Sequence, residues 1–267
     1  MGADQIRHAK SELVCHHFVS PVQWRRRSSR KVQVPSLTIE NYVKSIYQIG
    51  VGQNDDPVAT GQIAMSLGVS PGTVTSMLKT LSESGLAEYT RYEGVSLTGA
   101  GHALALRVLR RHRLIELFLA KTLELSWDEV HEEAENMEHA VSDHLIDRID
   151  AFLQFPIADP HGDPIPKADG TLNVSQGHSL ADWNVGHSFR LVRVLDQSSE
   201  FLRYLSDQGL PLGTEGTVEE NCDSAGIVTV TIDKNATTIS RKVAEKLLVS
   251  PLGGRQIEPT LANGESS

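Results

Sequence analysis

From Ser36 onward apolar residues recur at helical spacing. Ile39, Val43, Ile46 and Tyr47 follow two possible N-caps, Ser36 and Thr38, and Gly50 and Gly52 close the run, which predicts a first helix. Pro57 and Thr60 open a second, with Ile63, Ala64 and Leu67 inside and Gly68 as its stop. Ser70-Pro71 opens a third, with Val74, Met77, Leu78 and Leu81 inside, ended by Gly85. Only Gly68, Val69 and Ser70 separate these two, the turn length of a helix-turn-helix. Residues 86–91 and 95–97 then flank Tyr92-Glu93-Gly94 and predict a hairpin. A helix-turn-helix followed by a two-stranded wing is the winged-helix arrangement, which places its third helix in a major groove. Ser70, Thr73, Thr75, Ser76 and Lys79 on that helix are small hydrogen-bonding or cationic groups. They are the candidates for DNA contact, with Lys79 and Arg91 nearer phosphates. A protein-interaction module is the alternative use of the same elements.

A long helical pattern covers 100–125, with Arg107, Arg110, Arg111 and Arg113 at its outer positions, and a further helix is expected from Trp127 to about Phe155. Pro156, Pro160, Gly162, Pro164 and Pro166 then break the periodicity, so 156–177 reads as a linker. Residues 189–195 and 226–232 alternate like strands around a turn at 210–214, a small β-rich domain. Residues 1–35 show no sustained period. Their run Trp24-Arg25-Arg26-Arg27-Ser28-Ser29-Arg30-Lys31 reads as a disordered basic arm, either a dispensable extension or a phosphate-binding one. The expected organisation is an arm at 1–35, a winged helix-turn-helix at 36–99, a helical domain at 100–155, the linker, a β domain at 178–250 and a flexible tail at 251–267.

Composition narrows the class. The 267 residues are 39% hydrophobic and 22% charged, and no stretch has the roughly 18 consecutive apolar residues of a membrane span. The N-terminus lacks the apolar core of a secretory signal, so export is not expected. Cys15 and Cys222 are far apart in unlike contexts, which excludes a disulfide framework or a cysteine-rich zinc site and favours a reducing cytoplasm. The net charge of -9 is uneven: the arm is basic, so the body carries about -14. An acidic body argues against non-specific coating of nucleic acid and suits a protein that gathers divalent cations.

Candidate chemistry concentrates after residue 100. His131, Glu135, Glu138 and His139 fall at about 0°, 40°, 340° and 80° around one helix, so four potential ligands project from one side. His112 and Glu116, spaced i, i+4 on the preceding helix, form a second such face that antiparallel packing would bring near the first. Imidazole with carboxylate and no thiolate suits Mn²⁺, Fe²⁺, Co²⁺ or Zn²⁺, tilted toward the harder ions. Without metal, Glu116, Glu135 and Glu138 would repel one another. A single i, i+4 pair is usually a solvated face, and two such pairs with Glu138-His139 added make the metal reading. Asp143, His144 and His102 read as surface residues. His161, like the remaining histidines, carries no functional expectation. A metalloenzyme with a carboxylate as general base, or a winged-helix regulator whose acidic face is only structural, are the rival uses of these residues.

Residues 36–250 resemble the diphtheria toxin repressor and manganese transport regulator family of metal-dependent transcriptional repressors. The resemblance rests on Glu40-Asn41-Tyr42 with Ile46-Tyr47, the winged helix, Arg111-His112-Arg113-Leu114 with Glu116, His131-Glu132-Glu133-Ala134-Glu135 leading into Glu138-His139 and Ser142-Asp143, and the run Asp159-Pro160-His161-Gly162-Asp163-Pro164-Ile165-Pro166. It implies a mainly α chain whose small β domain is SH3-like and whose helical domain joins two copies through residues 127–155. It also implies an ancillary metal position at His112, Glu116 and His131, and a primary one at Glu135, Glu138 and His139 with Asn41. Iron-responsive members carry cysteine and methionine at positions 135 and 41, and manganese-responsive members carry glutamate and usually aspartate. Glu135 therefore points to Mn²⁺, with Fe²⁺ as the alternative. Asn41 departs from both patterns, and Lys44 stands where some short manganese regulators have a second carboxylate. A ligand from the SH3-like domain is often added in the family, and neither Asp196 nor Glu200 aligns convincingly with it. The implied function is repression of metal-uptake genes by a cytoplasmic homodimer on a palindromic operator.

Overall fold

A computed structural model describes residues 36–53, 56–173 and 177–252; the basic arm and residues 253–267 of the tail lie outside the described residues. Ser36 caps the first helix, α1 (Leu37–Val51), its Oγ accepting from the Ile39 amide at 3.4 Å. Gly68, with φ +64, ends α2 (Thr60–Leu67) in the left-handed conformation that favours glycine. Ser70 caps α3 (Pro71–Glu83), with Pro71 in its first turn. Strands β1 (Ala87–Thr90) and β2 (Gly94–Leu97) pair antiparallel as the wing, and Val58 bridges to Val95 at its edge. Val43 and Ile46 of α1, Ile63 of α2, Val74, Leu78 and Leu81 of α3 and Val95 of the wing form one core. That core makes α1 and α3 a single packed body.

Helix α4 (Gly99–Leu123) leaves the wing after the Thr98 N-cap. The single helix expected over 127–155 is instead two, α5 (Val130–Met137) and α6 (Asp143–Phe152), separated by a turn. Ser142 starts α6 by accepting from the Leu145 amide at 3.3 Å. In the turn before it, Glu138 and His139 meet partners on α1 and α4, and these contacts override the continuous helical period.

A second difference concerns α4. Arg110, Arg111 and Arg113, expected to face outward, are buried, while Arg107 stays half-exposed. Each buried guanidinium meets an acid from another element: Arg110 donates to Asp150 (2.8 Å), Arg111 to Asp143 (2.8 Å) and Glu40 (3.4 Å), Arg113 to Asp163 (3.0 Å). Burial of charge is tolerated here because it is matched.

Residues 156–167 form neither helix nor strand, yet Asp159, His161 and Asp163 within them are buried. The Asp159 Oδ1 accepts from the amides of His161 (2.8 Å) and Asp163 (2.9 Å). Asp163 in turn collects Arg113, Arg193 and Gln197, joining α4 to the C-terminal sheet. Gly162 has φ +86, and a Cβ there would lie 2.1 Å from the Val192 carbonyl oxygen, so this segment lies directly on the sheet.

That sheet comprises β3 (His178–Ser179), β4 (Ser188–Val194), β5 (Glu215–Cys222), β6 (Ile227–Ile232), β7 (Asn235–Ser240) and β8 (Leu247–Pro251), all neighbours antiparallel in the order β3-β8-β4-β5-β6-β7. Phe189, Leu191, Val218, Val228 and Val230 fill its core with Leu202 and Leu205 of α7 (Ser199–Asp207). The whole is a mainly α chain with a winged helix, a helical domain and a C-terminal SH3-like β domain. No described helix is long and apolar enough to cross a membrane.

Gly101 marks where α4 meets the winged helix, because a Cβ there would sit 2.0 Å from the Leu86 carbonyl oxygen. Backbone cannot yield as a side chain does, so Gly101→Ala is expected to cost about 2 kcal/mol of stability by overpacking. Urea denaturation followed by circular dichroism measures it, and an unchanged midpoint would contradict the close approach.

Candidate metal centre

Helix α4 presents His112 and Glu116 one turn apart toward α5. Glu116 Oε1 lies 2.9 Å from His112 Nε2 and 3.1 Å from His131 Nδ1, so the three residues expected at the ancillary position are brought together. On the other side of the same ring, His112 Nδ1 lies 2.7 Å from Glu138 Oε2 and 3.8 Å from Glu135 Oε1. Glu135 and Glu138 thus gather with His112 into a second group of potential ligands. His139, in the turn after α5, has Nε2 3.2 Å from Glu138 Oε1, and its Nδ1 lies 2.7 Å from Glu40 Oε2. Glu40 is buried and also accepts from Arg111, so it fixes the orientation of the His139 ring as a carboxylate behind a metal-ligating histidine does. Asn41, on α1, has its Oδ1 buried with no hydrogen-bond partner.

Two positions carry more than the sequence suggested. Asp159 and His161 form a third group with Glu116, all three wholly or nearly buried. His161 Nε2 lies 2.7 Å from the Trp127 carbonyl oxygen and donates to it, which turns Nδ1 inward. That Nδ1 points toward Glu116 Oε2 (3.8 Å) and Asp159 Oδ1 (3.9 Å). Glu116 Oε2, Asp159 Oδ2 and His161 Nδ1 are all buried without a hydrogen-bond partner. Arg113 Nε faces Asp159 Oδ2 at 3.6 Å, and the imidazole and carboxylate groups of the three residues are of a kind that fits a cation. The spacing Asp159-x-His161 was visible in the sequence, but nothing there tied a proline-rich segment to Glu116. Asp196, weighed as a ligand from the SH3-like domain, is held by Lys246 Nζ (2.7 Å) and the Ser198 amide (3.0 Å). Among the described residues no ligand group extends beyond His161.

The carboxylates do not stand bare against one another. Lys44 of α1 places Nζ 2.6 Å from Glu135 Oε1 and 2.8 Å from Glu138 Oε2. Burial works against a charged His112 ring, but the adjacent Glu116 and Glu138 carboxylates outweigh it and raise its pKa to about 9. Burial likewise opposes ionisation of Glu116 and Glu138, yet the histidines and, at Glu138, Lys44 hold both below the usual carboxylate range. Asp159 shows the reverse: burial, with Glu116 and Asp163 close by, pushes it well above.

The DNA candidates lie as follows. Ser70, Thr73, Ser76 and Lys79 are exposed on α3 and its cap, Thr75 is half-buried, and Arg91 is exposed in the wing with its guanidinium 4.8 Å from the Tyr92 ring centre. Thr75 and Ser76 back-bond to the carbonyls of Pro71 (2.9 Å) and Gly72 (3.1 Å). Asp143 accepts from Arg107 and Arg111 at the surface, and His144 is exposed.

A winged helix fused to a helical domain with buried histidine and carboxylate clusters defines a metal-dependent DNA-binding regulator. Residues 36–95 match the N-terminal DNA-binding domain of iron-dependent repressors, residues 98–167 their metal-binding and dimerisation domain, and residues 178–251 the FeoA domain. The chain is 30% identical to the diphtheria toxin repressor of Corynebacterium efficiens over 188 residues, 67% of this chain and 81% of that one. It is 32% identical to the iron-dependent repressor IdeR of Mycobacterium leprae over 162 residues, 61% of this chain and 66% of that one. A solved manganese-dependent transcriptional repressor in complex with manganese superposes with a TM-score of 0.73 at 37% identity, covering 80% of this chain and all of that one. The chain belongs to the diphtheria toxin repressor family of metal-dependent transcriptional repressors. The metalloenzyme alternative falls with that, since these relatives are repressors. The matched domains make DNA and a second copy of the chain its partners.

In the metal-free chain the His112 proton stabilises the fold fully below about pH 6.5, and this contribution is lost as pH rises through about 9. The melting temperature measured in chelator is therefore expected to fall between about pH 7 and 9.5. Engaging an ion requires His112 to give up that proton, so calorimetric titration near pH 7.5 should show proton release that varies with buffer ionisation enthalpy. A flat melting temperature with no proton release would contradict the charged ring.

Proposed function

We propose that the protein is a manganese-responsive repressor of metal-uptake genes, acting in the cytoplasm as a homodimer on a palindromic operator. The observation that carries this reading is that the ligand clusters of α4 and α5 touch α1 of the winged helix, through Lys44 to Glu135 and Glu138 and through Glu40 to His139. Whatever fills the cluster therefore acts on the body that carries α3. The primary position is Asn41, Glu135, Glu138 and His139. The ancillary one is His112, Glu116 and His131, to which Asp159 and His161 contribute.

Glu135 supports manganese, because a hard carboxylate rather than a thiolate stands at that place, and the Asn41 amide oxygen is also a hard donor. A divalent ion would supply positive charge among oxygen and imidazole donors, and the residues would supply the link between α1 and α5. Ser70, Thr73, Thr75 and Ser76 would approach base edges, with Lys79 and Arg91 toward phosphates. Leu145, Phe152, Phe155 and Ile157 are exposed apolar residues on and just after α6, a surface suited to the second copy. Metal and DNA affinities must then reinforce each other by the same factor.

The test is binding of chelator-stripped full-length protein to DNA upstream of its own gene and of neighbouring transporter genes, with Mn²⁺, anaerobic Fe²⁺ and Zn²⁺ titrated separately. Mn²⁺ is expected to restore binding at micromolar levels, and Glu135→Ala to remove the response by about 100-fold in metal affinity or more. Restoration by Fe²⁺ alone would give the iron reading, and binding that ignores chelator would end the metal-switch reading.

A further inference from the structure

We propose that Lys44 is a tethered counter-ion that closes the primary cluster when no metal is present and has to leave for a divalent ion to enter, so that this lysine sets the metal threshold of the sensor. The inference rests on the metal-sensor reading above. Lys44 Nζ lies 2.6 Å from Glu135 Oε1, 3.0 and 2.8 Å from the two Glu138 oxygens, and 3.2 Å from His112 Nδ1. These are the side chains whose ligand atoms converge within 4.8 Å as a potential metal group. The ammonium thus sits among the potential ligand atoms of Glu135, Glu138 and His112.

Its side chain is 6% exposed, so this is an enclosed position rather than a surface lysine folded over an acidic patch. First-row divalent ions draw carboxylate oxygens and imidazole nitrogens to about 2.0–2.2 Å. An ammonium at hydrogen-bond distance from the same atoms leaves no room for such an ion. Occupancy is therefore exclusive. Lys44 lies one helical turn from both Glu40 and Asn41 on α1, so its retreat also frees the α1 face that the ion is to engage.

The experiment uses the full-length protein and Mn²⁺ alone as probe, with affinity measured by competition against a fluorescent chelator. Lys44→Met keeps the length and apolar stem while removing the charge. The variant is expected to bind Mn²⁺ about tenfold tighter or more, and its chelator-treated form to melt lower than wild type while the Mn²⁺-saturated forms converge. In parallel, amine labelling of wild-type protein read by mass spectrometry needs no variant to fold: labelling at Lys44 is expected to rise on addition of Mn²⁺. Equal or weaker affinity in Lys44→Met, or unchanged or reduced Lys44 labelling with metal, would overturn the proposal alone. Failure of both proteins to bind Mn²⁺ would overturn the manganese reading and this inference with it.

Discussion

An ionised carboxylate taken out of water costs several kcal/mol unless positive charge answers it. The seam where α1, α4 and α5 meet buries three, Glu40, Glu116 and Glu138, each under 5% exposed. The answering charges come from different elements: Lys44 from α1, and Arg111 and His112 from α4. The seam is stable only when these helices hold one arrangement, so helix geometry and cluster charge cannot vary independently. Because α1 shares a hydrophobic core with α3, the seam is joined to α3 through packed side chains.

The clusters divide the labour. Glu116 presents Oε1 to His112 and His131 and Oε2 toward Asp159 and His161, so it faces both the α5 side and the irregular segment below it. That lower group is prebuilt: backbone amides take Asp159 Oδ1, the Trp127 carbonyl takes His161 Nε2, and Arg113 Nε faces Asp159 Oδ2 at 3.6 Å. Asp163, two residues beyond His161, clamps α4 to the SH3-like domain through Arg113 and Arg193. One side of α4 thus fixes the C-terminal domain and the other fixes α1, with His112 and Glu116 between them. Any ion that changes the bonding of His112 is coupled to both sides, and linkage makes that coupling mutual.

What the chain reveals without coordinates follows from locality. Ser36, Gly68 and Ser70-Pro71 are signals acting within one turn, and the winged helix they delimit is found where they place it. His112 and Glu116 are likewise one turn apart, which suffices to read a ligand face. The break between α5 and α6 was not legible, since the helical period runs through it and the contacts that stop α5 come from Lys44, Glu40 and His112, up to 99 residues distant. The buried arginines of α4 and the role of His161 were hidden for the same reason. An arginine is inward only if an acid awaits it, and Asp150, Asp163 and Glu40 are remote in sequence. Ser142 was a usable local sign, a capping residue in the middle of an expected helix.

Asn41 and Lys44, the two departures from familiar ligand patterns, make sense as a pair. Lys44 answers Glu135 and Glu138 with a single positive charge, while His112 is shared between Glu138 and Glu116. A divalent ion in place of the lysine would bring one more positive charge to the same two carboxylates. An aspartate at position 41 would add a further negative charge to the seam. The neutral amide gives an oxygen donor, already desolvated and without a hydrogen-bond partner, at no cost in charge. Exchange of one cation for another at a neutral oxygen donor strands no further buried charge, which favours reversible binding.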